Sequence, residues 1–368
     1  MKKRNIWIIG IIVVVIIIGI VYVNNKSKQE ETIKIGAILP FSGSAAIYGE
    51  HARNGIEIAK EELKNDNFEI IYEDSLYTPK GGVDAYKKLK DINKIDSVIT
   101  LASQISLSVQ PLSTEDNILQ IAIASTSPKF RTPNDLSFRT IPSVELHVKR
   151  LVQFMEEKNY SKIGILYANN DFGKGARDSL LEEIKNNSKI NIVGDESYLT
   201  EAKDFRTSLL KLKEAKPNAV FIIGTATTYV DIFKQSKEID FKTQYLSIYS
   251  AEDPNLLVNA KEESEGLIYA YPSIDSKSIT AKKFIEAYKK KYNESPEAYA
   301  AEGYEAFRLS VLAFENCKKD YVCTKEYLTN LKDYKSVFGL LSFDNNGDVD
   351  YNFTLKTIKN GEFTLYTQ

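Results

Sequence analysis

Histidine is nearly missing from this chain: there are two in 368 residues, His51 and His147, far apart in sequence. Neither sits in an H-x-x-x-H or C-x-x-C pattern, so the sequence offers no metal site of familiar spacing. Also missing are G-x-x-x-x-G-K-[ST], G-x-S-x-G and a G-x-G-x-x-G after a strand. Without those motifs or a histidine-centred constellation the chain reads as a binding protein, not an enzyme, with no cofactor. Net charge is small as well. Lys and Arg total 48 against 50 Asp and Glu, a formal charge of -2, so no global field draws nucleic acid or anionic lipid. There are only two cysteines, Cys317 and Cys323, and none lies near the N-terminus to carry a lipid. In "ENCKKDYVCTKEY" they enclose a short polar loop, a pair that outside the cell oxidises to a disulfide, with two free thiols as the alternative.

What the sequence does contain is first of all an unbroken apolar run, "IWIIGIIVVVIIIGIVYV", at 6–23. As a helix it would be about 27 Å long, close to the hydrocarbon thickness of a bilayer. The following "NNKSKQE" gives no A-x-A-like cleavage site, which favours an uncleaved anchor over a signal peptide. Lys2, Lys3 and Arg4 outweigh Lys26 and Lys28, so residues 1–5 are expected in the cytoplasm and everything beyond the anchor outside it. A polar tether follows at 24–32.

Beyond the tether, short β-branched runs alternate with longer amphipathic segments, the pattern of parallel sheets with crossover helices. The length allows for about two domains. One βα series runs to about Ser143 and a second follows it, so two similar lobes are expected, linked through "FRTIPSVELH". The division expected is 33–143 with 272–335, and 144–271 with 336–368. Helix signals are readable: Thr78 before Pro79, and Asp204 opening "DFRTSLLKLKEA" with Pro217 and Asn218 ending it. The "DNNGD" segment at 344–348 looks superficially like a calcium loop but lacks the closing glutamate, so it reads as an Asn-Gly hairpin turn.

In open α/β sheets ligands bind beyond the carboxyl ends of the strands. After the first strand, "LPFSGSAAIYGEHARNGIEIA" puts Ser42, Gly43 and Ser44 in a tight turn and Tyr48 one turn into a helix. "LASQISLSVQP" places Ser103 before a helix, and "IASTSPKF" ends a strand with Ser125 and Thr126. Each hydroxyl alone is explained as a helix N-cap. Two such turns at neighbouring strand ends could together hold a carboxylate. In the second series "IYSAEDPNLL" gives Asp253 a capping role ahead of Pro254, which leaves Glu252 for an ammonium group. Phe172, in "YANNDFGKGARD", lies at a strand-to-helix passage facing the expected cleft.

Together "IKIGAILPFSGSAAIYGEHARNGIEIA", "LASQISLSVQP", "IAIASTSPKF", "KIGILYANNDFGKG" and "DFRTSLLKLKEAKPNAVFIIG" resemble the leucine/isoleucine/valine-type substrate-binding proteins of ABC transporters, over essentially all of the chain after Thr32. The resemblance implies the α/β type I periplasmic binding protein fold, two Rossmann-like lobes with parallel sheets joined by three crossovers. It implies capture of a branched-chain or related amino acid and delivery to a permease. By that likeness Ser103, Ala124, Ser125 and Thr126 bind the α-carboxylate, Glu252 takes the ammonium group, and Tyr48 and Phe172 line the pocket. Ala226 falls where relatives often carry an aromatic residue. With the anchor, this describes a monomeric, single-pass membrane protein whose binding domain is extracytoplasmic. A sensing ectodomain acting with a separate signalling partner is the alternative. Because the tether is polar and the fold after Thr32 is complete by this reading, deleting residues 1–23 is expected to leave a folded monomer. Aggregation of the truncated chain on size-exclusion chromatography would refute that.

Overall fold

The computed structural model describes residues 32–367 apart from 132, 134, 186–188, 276 and 352. The apolar run at 6–23 lies outside the described residues, and among those residues no helix is long and apolar enough to cross a membrane.

The first lobe is built on β1 (Ile33–Leu39), β2 (Phe68–Asp74), β3 (Ser97–Leu101), β4 (Leu119–Ile123) and β5 (Ser137–Arg139). They form one parallel sheet in the order β2-β1-β3-β4-β5. β3 and β4 are buried at every position, which is why they read as continuous rather than alternating apolar runs. The second lobe holds β6 (Lys162–Ala168), β7 (Asn191–Tyr198), β8 (Ala219–Ile223), β9 (Gln244–Ile248) and β10 (Ile268–Pro272). Its parallel order, β7-β6-β8-β9-β10, repeats that of the first. After the small hairpin of β11 (Tyr334–Ser336) and β12 (Gly339–Leu341), β13 (Phe353–Lys359) extends the second sheet antiparallel to β10, and β14 (Glu362–Leu365) pairs antiparallel to β13.

Beyond β5 the chain enters helix Val144–Glu157, which packs on β10 and β13 of the second lobe. After β10 it returns. Helices Ile279–Tyr292 and Ala298–Cys317 pack on helix Ala46–Leu63 of the first lobe. Contact between the latter two is backbone-close: a Cβ added at Gly55 would meet Ala300 O at 1.8 Å, and one at Gly303 would meet Ala52 O at 2.3 Å. Cys317, at the end of the long helix, is disulfide-bonded to Cys323 with Cα atoms 5.4 Å apart. Thr78 caps its helix as expected, its Oγ1 accepting from Gly81 N at 3.0 Å. The helix expected to open at Asp204 starts two residues later at Arg206, with Asp204 Oδ1 still accepting the Arg206 N–H at 3.1 Å.

Sequence reasoning puts 336–368 in the second lobe, but 336–349 packs on the first. Val337 N donates to Glu305 Oε1 at 2.6 Å, and the Phe138 and Phe343 rings meet edge-on at 5.0 Å. The reason lies in the 344–348 turn. It is a tight turn as read, with Asp344 Oδ1 accepting from the N–H groups of Asn346 and Asp348 at 2.8 and 2.9 Å. Its Asp348 carboxylate is held by two arginines: Arg139 Nε lies 2.6 Å from Oδ1, Arg139 Nη2 donates to Oδ2 at 2.6 Å, and Arg131 Nε donates to Oδ2 at 2.7 Å. Arg139 ends β5 and is fully buried, so the turn must come to it, and the chain crosses for the last time only before β13. Asp348→Asn would strand a buried guanidinium, and is expected to destabilise the protein by about 3–5 kcal/mol in urea unfolding; an unchanged midpoint would contradict this account.

Candidate functional site

The carboxyl ends of the two sheets face each other. At the ends of β3 and β4 the backbone turns left-handed at non-glycine residues, Ala102 (φ 82) and Ala124 (φ 51). Such conformations cost about 1–3 kcal/mol each and persist only where the surroundings enforce them. Around Ala124–Ser127 the enforcement is visible. Ala124 N donates to Glu302 Oε2 at 2.6 Å, and Arg139 Nη1 donates to Ser125 O and Ser127 O at 2.9 and 3.0 Å. Val144 N donates to Thr126 O at 2.9 Å, and Ser127 N donates to Ser103 Oγ at 3.1 Å. Burial pushes the Glu302 carboxyl up to about 8, against the opposing Ala124 N–H.

Ser103 is thus the first residue of its helix, not the cap, and its hydroxyl ties the ends of β3 and β4 together. The neighbouring strand ends expected from the sequence do meet. Ala124 contributes its N–H to Glu302, so that group is not left for a ligand. With these backbone groups engaged from behind, the side chains remain: Ser125 Oγ and Thr126 Oγ1 are fully buried and have no hydrogen-bond partner. An unpaired buried hydroxyl costs about 1–3 kcal/mol.

Between the lobes lies a cavity walled by Tyr48, Tyr77, Ala102, Ala124 and Tyr299 on one side. Phe172, Thr225, Tyr249 and Ser250 face them from the other. Its volume is about 20 Å³, room for about one water, so a ligand requires the lobes to part. They are shut by direct contacts. The Tyr48 hydroxyl donates to Ser250 O at 3.0 Å and accepts the Ala226 N–H at 2.6 Å, while its ring stacks on Tyr299 at 4.2 Å. The Tyr48 hydroxyl therefore caps the helix that starts at Ala226 from the opposite lobe. At the rim Ser44 Oγ donates to Glu201 Oε1 at 2.9 Å and Lys129 Nζ lies 3.4 Å from Asp171 Oδ1.

The family described as periplasmic binding protein matches residues 32–362. The chain belongs to that family. It is 27% identical over 338 residues to the Leu/Ile/Val-binding protein homolog 2 of Brucella abortus (strain 2308), covering 86% of this chain and 87% of the relative. The fold is similar to that of the leucine binding protein LivK of Thermotoga maritima MSB8 (TM-score 0.86, 23% identity, 91% of this chain and 98% of the other). It is also similar to the branched-chain amino acid transporter substrate binding protein LivJ of Streptococcus pneumoniae in complex with isoleucine (TM-score 0.80, 23% identity, 90% and 98%).

In this periplasmic binding protein Glu252 does not stand free. Lys356 Nζ lies 2.6 Å from its Oε1 and 2.5 Å from its Oε2, and Tyr269 OH donates to Oε2 at 2.5 Å. Lys356 sits opposite Tyr269 in the β10–β13 register, and its Nζ also lies 4.4 Å from the centre of the Tyr271 ring. Burial raises the Glu252 carboxyl, with Lys356 opposing. Nothing in the local sequence announces this pairing. Asp253 does cap its helix, Oδ1 accepting the Asn255 N–H at 2.7 Å.

Sequence reasoning also missed His51, Glu297, Glu302 and Arg139. His51 Nδ1 lies 3.1 Å from Glu297 Oε1, and Glu297 caps the next helix by accepting the N–H groups of Tyr299 and Ala300 at 2.8 and 2.9 Å. The available signal was spacing: His51 follows Tyr48 by one helical turn, so both belong to one face. Burial lowers the His51 imidazole, but the Glu297 carboxylate outweighs it and holds the group up at about 9 against an ordinary 6.5. Because the folded value is raised, the stabilisation is full below about pH 6.5 and is lost as pH rises through about 9. NMR titration should place His51 near 9, with Glu297→Gln bringing it down; titration below 7 in the intact protein would contradict the pair.

Proposed function

We propose that this chain captures a small carboxylate-bearing molecule, a branched-chain amino acid foremost, between its two lobes and hands it to the permease of an ABC transporter. The apolar run at 6–23 would hold it at the outer face of the membrane, where tethering raises its effective concentration near the permease. The observation that carries the reading is the pair of buried, partnerless hydroxyls, Ser125 Oγ and Thr126 Oγ1, next to Ala124 of the cavity wall. Hydroxyl donors suit a carboxylate, and bonds to an ionised acceptor are the stronger kind. The Brucella relative's name and the isoleucine held by the Streptococcus neighbour support the amino-acid class. A cavity of about 20 Å³ fits a capture cycle in which the lobes open to admit the ligand and close around it.

Isothermal titration against leucine, isoleucine, valine and simple carboxylates tests the reading. Thr126→Val is expected to weaken binding about five- to tenfold by removing one hydroxyl bond, while leaving the melting temperature without ligand unchanged or slightly raised. Unchanged affinity would take Thr126 out of the site, and failure of every acid to bind would remove the reading.

A further inference from the structure

Two cavities lie away from the cleft, at the amino ends of the first-lobe strands. One, of about 520 Å³, is walled by Ile33, Phe68 and Phe314, with Asn65 and Lys318 among its polar groups. The other, of about 200 Å³, is lined by Asp96, Asp116, Leu119 and Tyr321, and it shares Phe314 and Lys319 with the first. They form one continuous base to the lobe, with the Cys317–Cys323 disulfide at its rim.

This base carries apolar side chains that the fold leaves in water. Ile92 is 72% exposed, Tyr321 50%, Val322 49% and Leu63 38%. Leu63 ends the helix that leads to Asn65, and Ile92 precedes Asn93, whose carbonyl accepts from Lys34 Nζ at 3.2 Å beside the start of β1. A single exposed leucine is ordinary, but four such residues around two joined cavities mark an interaction surface. The charged groups lining the cavities are mostly answered. Asp96 Oδ1 lies 2.9 Å from Lys319 Nζ, Asp116 Oδ2 accepts from the Tyr86 hydroxyl at 2.9 Å, and Glu315 Oε1 accepts from Asn65 Nδ2 at 2.9 Å. Of these lining charges Lys318 alone has no partner among the described residues. Asp66 is also exposed here, so the charge of the base is mixed and the apolar groups dominate any contact.

What meets this surface follows from the course of the chain. Ile33 opens β1, walls the larger cavity and directly follows the tether at 24–32, which spans at most about 30 Å even when extended. With residues 6–23 in a bilayer, the base is the end of the lobe held against the lipid. We propose that the base of the first lobe rests on the phospholipid surface, with Leu63, Ile92, Tyr321 and Val322 dipping among the headgroups and upper acyl chains and Lys318 reaching the phosphate layer. The inference rests on the anchoring role given above to residues 6–23. It leaves the cleft, at the opposite end of the first sheet, clear of the bilayer.

The test uses the full chain in phosphatidylcholine vesicles carrying a lipid nitroxide-labelled near the top of its acyl chain. Trp7, the one tryptophan of the sequence, is removed by Trp7→Phe. A reporter is then introduced by Val322→Trp on the base, or by Val258→Trp on the second-lobe helix Pro254–Ala260, where Val258 is 78% exposed. The nitroxide is expected to quench at least about half of the fluorescence of the Val322→Trp chain and less than about a tenth of that of the Val258→Trp chain. Adding Ile92→Asp and Tyr321→Asp to the Val322→Trp chain should cut its quenching at least about twofold, with the melting temperature unchanged because both positions are exposed. The inference is overturned if the two reporters are quenched alike, if the added aspartates change nothing, or if neither reporter is quenched in a chain that floats with the vesicles. In that last case a dimer cross-linked through the base would give this surface to a second copy of the chain. All of those results leave the anchor standing. A full chain that stays in solution without vesicles or detergent removes the anchor and this inference together, and leaves ligand capture untouched.

Discussion

The ion pair between Arg139 and Asp348 is the constraint on which the rest of this structure leans. Arg139 is fully buried at the end of an edge strand, and removing a guanidinium from water is tolerable only with a counter-ion and hydrogen bonds for its remaining donors. Asp348 provides the first, and the carbonyl groups of Ser125 and Ser127 provide the second. One side chain thereby fixes the loop after β4, brings the 344–348 turn to the first lobe and delays the last crossing between lobes until β13. Glu302 completes the hold from the other side by accepting the Ala124 N–H. The carbonyls of Ser125, Thr126 and Ser127 are committed to the scaffold, while the Ser125 and Thr126 hydroxyls have no hydrogen-bond partner.

Closure between the lobes relies mainly on neutral groups. Tyr48 bonds Ser250 and Ala226 across the cleft and stacks on Tyr299, so the contact region is aromatic and hydroxyl-rich. Hydroxyl contacts of this kind carry small net free energies of about 0.5–1.5 kcal/mol. The charged groups nearby are arranged differently. The Glu252–Lys356 pair closes on itself within one lobe, the His51–Glu297 pair within the other, and Asp253 stands between with one oxygen unanswered.

Legibility from sequence tracked the range of each interaction. Caps were readable because they depend on a few consecutive residues: Thr78 before Pro79 and Asp253 before Pro254 both behave as their local chemistry requires. The meeting of Ser103 with the Ser125–Ser127 loop was also readable, since successive βα units place successive strand ends side by side. The pairing of Glu252 with Lys356 was not readable, because Lys356 lies on β13, more than a hundred residues on, and arrives through an antiparallel register that no local pattern encodes. His51 and Glu297 were missed for the same reason, being brought together by the packing of two helices distant in sequence.

By itself, then, the sequence determined the alternation of strands and helices, the two-lobe plan and the hydroxyl-bearing strand ends, because periodicity and turn chemistry are local and survive without any knowledge of packing. Only the tertiary structure decided which carboxylates are neutralised and by which partners. Charge compensation in a buried interface depends on distances of a few ångströms between residues far apart in the chain, and those distances exist only once both sheets are closed and the lobes are docked.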